Sequence, residues 1–309
     1  MIDLRRLQVL RAVHHHGTVT SAAEALHLTP SAVSQQIRQL SRELGVPLLQ
    51  PQGRRIKLTA AAHVLLDHAD ALSVRWEQAR ADLASHVDGD AGRLRLCGFP
   101  TGLATLLAPA AAQLAKTSPE LGVSIVEAEA NDCFDRLLAD RADLAVLIPT
   151  PDSPPRDDPR FDQEPLIDEP QDLLVPAGHP LATRESVTLA EAAGEPWISP
   201  EPGTCDQHHV VVSACIAAGF TPHVAHYATE WVGVSALVGS GLGVSLVARL
   251  VPIPGEHAVV RVRLRGNPQP TRRILTCTRR GGRDHPSIAR GLAALREIAA
   301  QRTETALVG

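Results

Sequence analysis

Three groups of residues carry side chains that could do chemistry. Ser31, Ser34, Gln35, Arg38 and Arg42 recur along one polar stripe; Cys205, His208, His209 and Cys215 fall within eleven positions; and His14, His15 and His16 are consecutive. The second group could offer metal ligands or a thiol and a base, but residues 208 and 209 point to different faces of a helix. No nucleophile, base and orienting acid can be assembled from the motifs, so an enzyme is not expected. The five cysteines, Cys97, Cys133, Cys205, Cys215 and Cys277, are odd in number and contain no CxxC pair. That pattern argues against a disulfide framework and a zinc ribbon, and neither a metal nor a cofactor is expected. The three histidines read as the exposed end of a first helix rather than a metal or pH-sensing group.

The first group is the informative one, because of the elements that position it. Leu4, Leu7, Leu10 and Val13 have the spacing of an amphipathic helix, which His16-Gly17 ends. A short helix with a face of small residues, Ala22, Ala23 and Ala25, follows, with Thr18 or Ser21 as its cap. Thr29-Pro30 then supplies a capping hydroxyl and a proline at the first helical position. In the helix Pro30 to Leu44, Val33, Ile37, Leu40 and Leu44 form the inward stripe. The opposite face has short hydroxyls and an amide early, arginines later, and no acid until Glu43. Such a face is either solvated or reads base edges in a major groove, with arginine for phosphate. The following stretch favours the second reading. Residues 50–59 read as a hairpin carrying Arg54, Arg55 and Lys57, a cationic wing beside the helix.

Charge supports that division. Residues 1–62 hold eight basic and three acidic side chains, a net +5, while the remainder holds 22 basic and 31 acidic, a net −9. A basic head on an acidic body suits a polyanion at one end only. The length of 309 residues predicts two or three units. No apolar run is long enough to span a membrane and no secretory signal is evident, so a cytoplasmic protein without a membrane partner is expected.

The run TSAAEALHLTPSAVSQQIRQL, followed by ELGVPLL and GRRIKLT, closely resembles the N-terminal signature of the LysR-type transcriptional regulators. Leu49, Pro51 and Ala60-Ala61-Ala62 depart from that pattern, where the family usually has phenylalanine, arginine and an acid-alanine-glycine run. The resemblance implies a bacterial homodimer or homotetramer that binds double-stranded DNA and responds to a small-molecule effector. It places Pro30, Ser31, Ser34 and Gln35 at the operator and Arg54 and Arg55 in the wing; with Thr29 and Arg38 these are the candidate DNA-binding residues.

From Thr59 to about Val87 there is neither proline nor glycine, and Leu65, Ala69, Leu72, Trp76, Ala79 and Leu83 form a heptad seam. A helix of that length, about 40 Å, suits pairing with its own copy, and the resemblance likewise implies a dimerising linker. Beyond residue 88 strands and helices alternate as an α/β body. Motifs ADLAV at 142–146, QDLLVPAGHPLA at 171–182, AAGFTP at 217–222 and LVGSGLGVSLV at 237–247 extend the resemblance and imply two lobes like those of periplasmic binding proteins.

The expected architecture is therefore α+β and multidomain: a winged helix-turn-helix at 1–58, a linker helix at 59–88 and an effector-binding domain at 89–309. Lobe I is expected at about 93–162 plus 256–309, and lobe II at about 163–255, with the acid- and proline-rich stretch 149–163 as a crossover between them. Thr101, Gly102, Ser199, Thr204, Glu230 and Trp231 fall at strand ends or helix starts, where such clefts hold ligands, although Thr101 and Thr204 would also serve as helix caps. With Glu230 and no arginine among them, a bulky polyanion fits poorly. Cys205 and Cys215 are similar to the cysteine pair of peroxide-sensing members of the family, which makes a redox-sensing regulator the alternative. Ten helical residues would separate them by about 15 Å, so oxidation to a disulfide would need the helix to melt.

Overall fold

The computed structural model describes residues 4–26, 28–52, 55–86, 92–266 and 269–308. Helices α1 (Leu4–His16), α2 (Val19–Ala25) and α3 (Pro30–Leu44) are followed by strands β1 (Leu49–Gln52) and β2 (Arg55–Leu58), an antiparallel hairpin. Of the two caps the sequence allowed for α2, Thr18 is used, its hydroxyl accepting from Ser21 N–H at 3.0 Å. Thr29 caps α3 in the same way, accepting from Ala32 N–H. Leu10, Val33, Ile37, Leu40 and Leu48 are buried together in the core of this head. The α3 stripe therefore points inward as its spacing predicts.

Helix α4 (Ala60–Ser85) is one uninterrupted rod, capped by Thr59. Its first half is not a free linker. Ala62, Leu66 and Ala69 are buried in the core of the head, and Leu65 packs against it. Of the expected seam, only Leu72, Trp76 and Leu83 remain exposed, while Ala79 is half-buried. The heptad reading assumed a single partner for the whole helix. The apolar residues of the first turns are instead used to cover α1 and the wing. Further along, buried Glu77 pairs with Arg279 at 3.0 Å, anchoring α4 to the body.

The body begins with β3 (Gly92–Gly98). Helix α5 (Pro100–Gly102) passes through a π-helical turn (Leu103–Leu107) into α6 (Ala108–Thr117), followed by β4 (Leu121–Glu127), α7 (Ala130–Leu138) and β5 (Leu144–Leu147). Strands β4, β3 and β5 are parallel neighbours, as the alternating pattern predicts. The next element differs from expectation. Strand β6 runs unbroken from Phe161 to Pro176, so the crossover ends at residue 160 and the chain passes between the lobes as a strand. Asp162 and Glu164, acids that had the composition of a loop, lie on this strand and are satisfied by basic partners, Asp162 by Arg280 and Glu164 by Arg296, each at 3.3 Å.

The second lobe adds β7 (Ser186–Val187), β8 (Pro196–Ser199), α8 (Asp206–Ala217), β9 (His223–Tyr227), α9 (Trp231–Gly239), β10 (Ser245–Ala248) and β11 (Val259–Leu264). β10 and β11 flank the second half of β6. Residues 259–264 are thus bonded into the second lobe, and not into the first as the expected boundary at 256 had it. The chain returns only afterwards. β12 (Thr271–Arg279) pairs with the first half of β6 and with β5, and α10 (Pro286–Val308) packs on the first lobe, where Leu292 and Leu295 join the core around Leu94 and Leu144. Two antiparallel strands, β6 and β12, therefore run side by side at the junction of the lobes.

Candidate functional site

Along α3, Ser31, Gln35 and Arg38 are exposed together and Ser34 is half-buried beside them. The Thr29 and Ser31 hydroxyls lie 3.0 Å apart at the exposed first turn, which Pro30 opens. Gln35, Arg38 and Arg42 border a cavity of about 590 Å³ that also involves Pro47 and Leu49, so the helix face and the approach to the wing form one concave surface. Arg42 is held by Gln39 at 2.6 Å. Lys57 is exposed on β2; Arg54 lies outside the described residues, as does the side chain of Arg55.

In the body, the cleft residues fall into different roles. Thr101, buried at the start of the α5 segment, accepts a hydrogen bond from Trp231 Nε1, at the start of α9, at 3.1 Å. Two side chains expected at the cleft are thus joined across it. Gly102 has a packing role: a β-carbon there would lie 2.6 Å from Cε1 of Phe99. Ser199 is fully buried at the end of β8, with its hydroxyl 3.3 Å from both the Pro200 carbonyl and His208 Nδ1. Thr204 is exposed and donates to the Glu201 carbonyl at 2.7 Å, and Glu230 is exposed at the N-cap of α9. Neither Thr101 nor Thr204 is a helix cap, since those positions belong to Phe99 and Cys205. Thr101 and Trp231 meet; Thr204 does not reach them.

A second contact between the lobes escaped sequence reading. Glu129, at the N-cap of α7, faces Asp206, the first residue of α8. Burial, reinforced by the charge of Asp206, pushes the Glu129 carboxyl up to about 8, and burial also raises Asp206. The pair consequently holds a proton at neutral pH. Glu129 and Asp206 both follow strand ends at helix starts, a signal that reached the helix start at 204–206 but passed over Glu129. Nearby, Arg272 on β12 bonds Glu169 on β6 at 2.6 Å and lies 5.2 Å over the Phe99 ring. A cavity of about 620 Å³ opens between the lobes among Ile148, Thr150, Asp206, His209, Arg272 and Arg273. None of the six expected effector residues lines it.

The carboxyl pair has a pH consequence. Because the folded state keeps on Glu129 a proton that the unfolded chain releases near pH 4.5, its contribution is complete below that pH and is lost as pH rises through about 8. Stability measured by urea unfolding should therefore fall from about pH 4.5 to about pH 8 and level off above that. Glu129→Gln, which keeps the shape without the titration, should flatten that decline.

Cys215 is buried in the core of the second lobe, its thiol pushed up to about 12 by burial, and burial likewise raises Cys205 at the N-cap of α8. Both are free thiols at opposite ends of an intact helix. This conformation does not bring them together.

Comparison with known proteins agrees with this geometry. Residues 4–63 match the bacterial regulatory helix-turn-helix protein, lysR family, and residues 88–300 match the LysR substrate binding domain. The chain belongs to the LysR family. It is 30% identical over 249 residues to the HTH-type transcriptional regulator AlsR of Bacillus subtilis, covering 80% of each chain. It is also 30% identical over 258 residues to the DNA-binding transcriptional dual regulator OxyR of Escherichia coli, covering 83% of this chain and 82% of that one. Among solved structures, a full-length OxyR variant from Pseudomonas aeruginosa superposes with a TM-score of 0.64 at 20% identity, over 96% of this chain and 95% of that one. Full-length BenM gives 0.59 at 21% identity, over 98% of each. This LysR-family chain is thus a DNA-binding transcriptional regulator with an effector-binding domain, and regulators of the family bind DNA and small effectors and form oligomers.

Proposed function

We propose that the protein reads its operator through Thr29, Pro30, Ser31, Ser34, Gln35 and Arg38, with Arg54 and Arg55 on the flanking backbone, as a dimer or tetramer in the cytoplasm. A small polar effector acts on it at the junction of Thr101 and Trp231. The observation that carries the effector reading is the 3.1 Å hydrogen bond from Trp231 Nε1 to Thr101 Oγ1, made by one side chain from each lobe. A ligand competing for that bond changes the relative energy of open and closed lobes, which is what a switch requires. The neighbouring Glu129–Asp206 pair favours effectors bearing hydrogen-bond donors over polyanions.

The test begins with amino acids, hydroxy acids and sugars screened by thermal shift on the intact protein, with hits followed through operator binding. In Thr101→Val the response to such a hit should disappear while ligand-free operator affinity stays within about twofold, since the substitution keeps the shape and removes one hydroxyl. A folded variant that responds with unchanged sensitivity would place the effector elsewhere. At the DNA, Gln35→Ala should alter base preference by about 1–3 kcal/mol at one position of the operator half-site, whereas Arg38→Ala should weaken all duplexes alike and reduce the salt dependence. Binding selections against randomised duplexes distinguish these outcomes.

A further inference from the structure

Three side chains of metal-ligand type converge where the DNA-reading head touches the body. His15 and His16 end α1, and Asp135 lies on α7 of the first lobe. Nε2 of His15 is 3.5 Å from one oxygen of Asp135, and Nε2 of His16 is 3.7 Å from the other. The three ligand atoms lie within 4.8 Å of one another, and no other such cluster occurs among the described residues. Around a tetrahedral zinc, with bonds of about 2.0–2.2 Å to nitrogen and oxygen, neighbouring ligand atoms sit about 3.4 Å apart. The histidines approach different oxygens of Asp135, and the three ligand atoms, all within 4.8 Å of one another, must draw together by up to about 1.4 Å to reach that spacing.

The surroundings suit an ion. The three residues border a cavity of about 190 Å³, which leaves space for water as a fourth ligand. Of the cations lining that cavity, Arg11 pairs with Asp70, while Arg141 donates to the Ala25 carbonyl at 3.5 Å and its charge also faces Asp135. Asp132, one turn before Asp135, is held by Arg136 at 2.8 Å.

We propose that His15, His16 and Asp135 bind a borderline divalent transition-metal ion such as Zn²⁺, pinning the DNA-reading head to the first lobe of the same chain. Two imidazoles and one carboxylate select zinc-like ions over magnesium or calcium, which prefer oxygen alone. The ligands belong to separately folded units, so occupancy would couple metal supply to the orientation of α3. This adds an input distinct from the cleft between the lobes.

The experiment uses the intact, chelator-treated protein at pH 7.5, titrated with Zn²⁺ in competition with a chromophoric chelator. One ion per chain is expected, with affinity reduced more than about tenfold in Asp135→Asn and in His16→Gln and unchanged in His63→Gln, whose histidine lies against His14 outside the cluster. Zn²⁺ should raise the unfolding temperature of the wild type but not of Asp135→Asn, and Co²⁺ should show the visible absorption of a tetrahedral site only in the wild type. Unfolding in chelator shows whether each variant is folded. Absence of saturable binding to the wild type, or wild-type affinity retained by folded Asp135→Asn and by the His15→Gln/His16→Gln double variant, would overturn the assignment.

Discussion

Arg272→Met should destabilise the protein by about 3–5 kcal/mol, because it strands the Glu169 carboxylate in the interior. Glu169 and Arg272 are 1% and 3% exposed, face each other in register on β6 and β12, and bond at 2.6 Å. The other Glu169 oxygen accepts from Leu250 N–H at 2.7 Å, so the pair fastens the loop after β10 to the strands at which the lobes join. Adding Glu169→Gln to Arg272→Met removes the stranded charge yet keeps an acceptor for Leu250. The double variant should recover more than half of the loss. Urea unfolding of both variants checks this, and a cost below about 1 kcal/mol for Arg272→Met would mean that water reaches the pair.

Replacing Leu72 and Trp76 together by glutamate should separate the subunits without unfolding them. Each side chain is 56% exposed in the single chain, so protomer stability should change by no more than about 0.5 kcal/mol per site. If α4 pairs with its copy along this seam, each protomer buries two unpaired charges, four at every contact. The dissociation constant should then rise by more than about 100-fold, corresponding to about 3 kcal/mol or more. Sedimentation velocity reports the change directly, and operator affinity should fall with it because two linked heads no longer bind together. An unchanged assembly would show that the lobes, or the first half of α4, hold it.

How much of this was legible from the sequence depends on the range of the interactions involved. The helix-turn-helix was written locally: the Thr29-Pro30 start and the inward stripe of Val33, Ile37 and Leu40 are set by neighbours a few residues apart, and the structure follows them. The parallel start of the body was readable for the same reason, as were the starts of α8 and α9. The family was legible too, because its signature is contiguous. What the sequence could not settle was pairing at long range. The acids Asp162 and Glu164 resemble a loop until β12 and the arginines beyond it are laid beside them, and Ala69 resembles a dimer contact until the head claims it. Nor could spacing reveal that Thr101 meets Trp231 130 residues away, that Glu129 faces Asp206, or that His15 and His16 lie against Asp135. Local periodicity determines which face of an element is apolar, but which polar atoms meet is decided only when the lobes and head pack, since burial and Coulomb attraction depend on distance in space.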